Sequence, residues 1–78
     1  MVNVKFNSTA QRHTAEVVAS GTTIREYLES KGAYMSATFS IAGKVINNLD
    51  MTFAQLDSLG VDTANLITIY ETIKSDNA

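Results

Sequence analysis

Seventy-eight residues carry one domain and leave no room for a second core. Apolar residues make up 45% and charged residues 18%, a globular composition, and with no cysteine the chain has no disulfide, thiolate nucleophile or cysteine metal site. A net charge of −2 argues against generic nucleic-acid binding. The charge is uneven: residues 1–44 hold five basic and three acidic side chains, while residues 45–78 hold Lys74 against Asp50, Asp57, Asp62, Glu71 and Asp76.

Val2, Val4 and Phe6 alternate with Asn3 and Lys5, which predicts a half-buried first strand. This start has no charged region followed by an apolar one, so no secretory signal is expected, and a cytoplasmic location follows by default. Asn7 to Gln11 is small and polar, as a hairpin loop should be. A second strand is expected over His13–Ala19, with Ala15, Val17 and Ala19 as its buried set.

Ser20-Gly21-Thr22 breaks that strand. Thr23-Ile24-Arg25-Glu26 reads as a capping box that opens a helix of about two turns. Ile24, Tyr27 and Leu28, with the aliphatic stem of Lys31, lie on its inner face, and Gly32 ends it. Thr38-Phe39-Ser40-Ile41 alternates again, with Phe39 and Ile41 inward. Ala42-Gly43-Lys44 is a tight turn before the short strand Val45-Ile46. Thr52-Phe53-Ala54-Gln55 is a second capping box, with Phe53 and Leu56 inward and Gly60 as the stop. Val61 seats in the core. Leu66–Tyr70 is the last strand, with Ile67 and Ile69 inward and Thr68 and Tyr70 outward. Glu71 interrupts the alternation, and Ile73 is either a last core contact or part of a tail.

The fold expected is α+β: one mixed sheet of four to five strands wrapped over one helix, with a short second helix. The first and last strands, strongly alternating and free of proline, suit central positions. A ferredoxin-like alternative needs a second long helix that the stretch after Asp50 is too short to supply. The domain is expected over residues 1–74, with 75–78 as a disordered C-terminal tail.

The order and spacing of three segments resemble the ubiquitin-like β-grasp superfamily over nearly the whole chain. They are Gly21-Thr22-Thr23-Ile24 at the helix start, Phe39-Ser40-Ile41-Ala42-Gly43-Lys44 at the third strand and its turn, and Leu66-Ile67-Thr68-Ile69-Tyr70 at the closing strand. The stretch from Gly60 to Ile69 is also similar to the small bacterial sulfur carriers of that superfamily. Modifiers and carriers of this kind act through a C-terminal Gly-Gly. Here the last residues are Ser75-Asp76-Asn77-Ala78 and no Gly-Gly occurs anywhere, so carrier or modifier activity is not expected. Ubiquitin's apolar contact patch maps onto Ser40 and Tyr70, beside Thr38, Thr68 and Lys5. The resemblance thus implies a binding face that is polar with one aromatic.

Catalytic chemistry finds little to stand on. His13 is the sole histidine and has no ligand-spaced carboxylates beside it, so it reads as a solvent-washed residue at a strand start. No Gly-x-Ser-x-Gly elbow or phosphate-binding glycine loop occurs. Glu26 is a capping residue and Glu29 a solvated one. Phe6, Tyr27, Phe39 and Phe53 fall on inward phases and read as core, not as a base-stacking row. Tyr34 and Met35, in the loop after the helix, either close the bottom of the core or form an exposed apolar contact.

The function expected is a non-catalytic protein–protein interaction module with no cofactor and no metal. An unidentified protein partner would bind through Lys5, Ser40, Thr68 and Tyr70, or by strand addition near Thr14–Val18. By analogy with other small domains, this fits a bacterial or phage protein that modulates a host protein. The alternative is a degenerate sulfur-carrier-like protein that docks on an adenylating enzyme without being activated. A third reading is a self-assembling subunit, a monomer or weak dimer paired through the edge at Val18. Neither nucleic acid nor membrane is an expected partner.

Overall fold

Val2, Val4 and Phe6 point into the core of the computed structural model and are almost fully buried, while Asn3 faces out. Residues 1–8, 13–34 and 36–72 are described by the structure. Residues expected in the hairpin loop (9–11), Met35, Ile73 and the tail 75–78 lie outside that set.

The elements run β1 (Val2–Asn7), β2 (Glu16–Val18), α1 (Ile24–Ser30), β3 (Thr38–Ile41), β4 (Lys44–Ile46), a 3-10 helix (Ala54–Leu59) and β5 (Ile67–Thr72). The five strands form one mixed sheet in the order β2-β1-β5-β3-β4. β1 and β5 are its parallel centre, and every other pairing is antiparallel. With α1 and the 3-10 helix packed on one face, this is the mixed sheet over one helix that the alternation predicts, an architecture compatible with the β-grasp fold that the resemblance implies. Among the described residues no helix is long and apolar enough to cross a membrane.

The helix forms where the sequence places it because its start is satisfied twice over. Glu26 N–H donates to Thr23 Oγ1 at 3.1 Å, and Thr23 N–H donates to Glu26 Oε1 at 3.1 Å. The N–H groups of Ile24 and Arg25, which have no partner within a first helical turn, donate to the carbonyls of Met51 and Leu49. The second capping box is also present: Thr52 N–H donates to Gln55 Oε1 at 2.8 Å and Gln55 N–H to Thr52 Oγ1 at 3.3 Å. The 3-10 helix that follows begins at Ala54, with Phe53 at its N-cap and Leu56 in its first turn, and both side chains are fully buried while Leu59 is exposed. Gly32 and Gly60 both take positive φ at the ends of their helices.

The core joins Val2, Val4 and Phe6 to Ile24, Tyr27, Leu28, Phe39, Ile41, Phe53, Leu56, Ile67 and Ile69, with Val61 and Leu49 at its margin. Three expectations are corrected and one open alternative, the third below, is resolved. First, β2 is shorter than His13–Ala19 and has the opposite phase. Pairing Val2 with Val18 and Val4 with Glu16 turns Val18 and Glu16 toward the helix side; Ala15, Val17 and Ala19 are exposed. Glu16 tolerates that side because Lys31 Nζ lies 2.7 Å from its Oε2. Second, β5 begins at Ile67 and runs on through Glu71, which takes the inward position opposite Phe39 and is only 8% exposed. Its carboxylate accepts the backbone N–H of Tyr34 at 3.2 Å. Third, of the two places open to Tyr34 the exposed one is taken, and Ala33 and Ala37 pack against the core beside it. Fourth, His13 is half-buried, its ring stacked on Phe6 at 5.4 Å.

Candidate functional site

With the inner face filled by the core, the outer face of the sheet is the surface its strands present to solvent. Its residues are the outward alternates: Lys5 of β1, Thr38 and Ser40 of β3, Val45 of β4, and Thr68, Tyr70 and Thr72 of β5. The register brings the four sequence-predicted residues together. Lys5 stands beside Thr68 in the parallel β1–β5 pair, and Ser40 stands opposite Tyr70 in the antiparallel β3–β5 pair. Outward neighbours on paired strands have Cβ atoms about 4.5–5.5 Å apart, so the four side chains share one surface.

Tyr70 dominates that surface and is 50% exposed. One row crosses the sheet as Val45, Ser40, Tyr70 and Asn7. Val45 is exposed as well, so Ser40 is a small polar gap between an aliphatic and an aromatic side chain. The sequence reading missed Val45 as a surface residue, although alternation from the inward Ile46 marks it. The Lys5 ammonium has no ion-pair partner among the described residues.

Beside Tyr70 the face opens into a half-open groove of about 230 Å³. Ile41, Ala42, Val61, Leu66 and Ile67 supply apolar walls, with Thr68, Tyr70 and Asp62 completing the lining. Leu66 precedes β5 and is half-exposed, which corrects its placement inside the last strand. It shares sequence parity with Thr68 and Tyr70, and that was the signal for its outward place.

Asp62 was not singled out by the sequence. Its carboxylate accepts the backbone N–H of Ala64 at 3.0 Å and Asn65 Nδ2 at 2.7 Å. Those bonds, that from Asn65 foremost, hold its pKa below the ordinary carboxylate range, so the groove carries a fixed negative charge at neutral pH. Asp62 has no cationic partner among the described residues.

Elsewhere, Arg25 and Asp50 form an exposed ion pair at 2.7 Å, and Glu16 and Lys31 form the half-buried pair beside Tyr27. Each is accounted for by the local structure it joins. Among the described residues no three His, Asp or Glu side chains gather as metal ligands would. No protein-family model matches the chain, and none of the curated proteins matches it.

Proposed function

We propose that this chain is a non-catalytic protein-interaction module, a ubiquitin-like domain that binds a partner protein through the outer face of its sheet. Lys5, Ser40, Thr68 and Tyr70 are its contact residues. The observation that carries the reading is the half-exposed Tyr70 ring, held on a central strand between Ser40 and Asn7 and bordered by an apolar groove. An aromatic with a polar tip on a rigid scaffold supplies contact area at small entropic cost and is a common anchor at interfaces. A polar face of this kind is not one that a reader of ubiquitin's apolar patch would recognise, so the partner is of another kind. The proposal extends, by analogy, to a small bacterial or phage protein acting on a host protein in the cytoplasm, where a cysteine-free domain needs no oxidising compartment.

A proton–nitrogen NMR titration of the labelled domain with fractionated host lysate tests it, repeated with Tyr70→Ala. Saturable shifts at Lys5, Ser40, Thr68 and Tyr70 that vanish in the variant are the expected result. Shifts confined to Glu16–Val18 would replace the face by strand addition at the β2 edge. No saturable shift in any fraction would sink the reading.

A further inference from the structure

We propose that the groove beside Tyr70 receives one aliphatic side chain from an extended partner segment, with a Lys or Arg adjacent to that side chain pairing with Asp62. This rests on the reading above that the outer face is the binding face, and it names the chemistry of the segment that docks there.

The groove is too small for a drug-sized ligand. Pockets for drug-sized ligands span roughly 300–1,000 Å³ and enclose most of the ligand. This one, at about 230 Å³, suits a group the size of a side chain. Five of its eight lining residues are aliphatic; Ile41, Val61 and Ile67 show it only the edge of the core, while Leu66 is half-exposed, so an apolar side chain gains by covering Leu66.

Charge decides what lies beside that side chain. Asp62 sits in the groove lining, is oriented by two donors of its own loop, and meets no cation among the described residues. A nucleic-acid phosphate or an acidic peptide would be repelled there. A second copy seated by two-fold symmetry would bring Asp62 toward its own mate. A Lys or Arg satisfies the position, and its aliphatic stem extends the apolar contact over Leu66. Because the Asp62 contacts come from the Ala64 backbone N–H and the Asn65 side chain, the acid is preorganised before the partner arrives.

The test is selection of a displayed library of random linear peptides on the full chain, with enriched sequences made as free peptides and titrated into labelled protein. The expected consensus is an aliphatic residue with Lys or Arg within two positions, shifting Asp62, Leu66, Thr68 and Tyr70. Replacing the peptide's basic residue by Glu, which asks nothing of the protein's stability, should weaken binding. Asp62→Asn should weaken binding of the unaltered peptide about threefold, as for an exposed pair, and added salt should do the same. Tyr70→Ala should weaken it about tenfold. A consensus that is acidic or uncharged, or indifference to both charge changes, overturns the proposal. So does the absence of enriched peptides, or concentration-dependent shifts at Asp62 without peptide, which would put a second copy in the groove. If the lysate titration still shifts Tyr70 when peptides fail, the binding-face reading stands and only the segment chemistry falls. If Tyr70 is silent in both, the face reading falls too.

Discussion

Lys31 Nζ lies 2.7 Å from Glu16 Oε2 and 5.6 Å from the centre of the Tyr27 ring, so one cation at the end of α1 serves both the edge strand and the helix. This contact explains why β2 can turn Glu16 toward the helix and Val17 to solvent. The Lys31 side chain is only 19% exposed and that of Glu16 41%, so the pair is less screened than a fully solvated one.

Lys31→Ala should therefore destabilise the domain by about 1 kcal/mol, through the lost pair and the lost stem packing on Tyr27. Val17→Thr, on the same strand, should move stability by less than ~0.5 kcal/mol. Urea unfolding of both variants, and a double-mutant cycle with Glu16→Ala, would check this. A larger cost for Val17 would mean that β2 has the other phase.

Tyr27 is buried against Phe53, edge to face at 5.7 Å, but its hydroxyl has no hydrogen-bond partner among the described residues. Burial, and secondarily Glu16, push its pKa up to about 12 from the ordinary 10. The folded state thus holds the phenolic proton more tightly than the unfolded chain. Its contribution to stability is full below pH 10 and is lost as pH rises toward about 12. Tyr27→Phe keeps the ring contact and removes the orphan hydroxyl. It should leave stability at pH 7 unchanged or raise it by up to ~1 kcal/mol, and flatten the alkaline decline. Thermal melts of both proteins across that pH range read both effects.

Ala42 and Gly43 both have positive φ, 53° and 79°, as the first and second residues of the β3–β4 turn. This mirror-image turn matches the twist of the strands, but a left-handed backbone costs an ordinary L-residue about 1–2 kcal/mol. Ala42→Asn should raise the urea midpoint with an unchanged slope, a gain of about 0.5–1 kcal/mol. Gly43→Ala should lower it by about 1 kcal/mol.

Ile69 has no exposed surface, whereas its neighbour Thr68 faces out beside Lys5. Ile69→Ala should cost about 2–5 kcal/mol and Thr68→Ala less than about 1 kcal/mol. Equal losses in urea unfolding would reverse the phase of β5 and with it the contact face proposed here.

Strand alternation and capping chemistry were legible in the sequence because both are local. The alternation of Val2, Val4 and Phe6, and that of Phe39 and Ile41, names its own buried face. The Thr23–Glu26 and Thr52–Gln55 boxes involve residues three apart, and both form as read. From these the α+β class and the sheet over one helix follow, whereas Lys5, Ser40, Thr68 and Tyr70 were singled out by the resemblance to the ubiquitin-like superfamily.

Pairing partners were not legible. Val17 and Val18 are equally apolar neighbours, and only the register of β2 on β1, with Lys31 waiting for Glu16, selects Val18 for the inner side. Glu71 reads as a break in the alternation until Tyr34, distant in sequence, supplies the N–H its carboxylate accepts. The groove at Asp62 gathers the β3–β4 turn, the stretch after the 3-10 helix and the start of β5, segments that meet only when the chain closes. The sequence alone determined the elements and the faces of the strongly alternating strands, because hydrophobic period and caps act within a few residues. Only the tertiary structure decided the phase of the weak strand, the burial of Glu71 and the charged groove, because each depends on a partner supplied by a distant part of the chain.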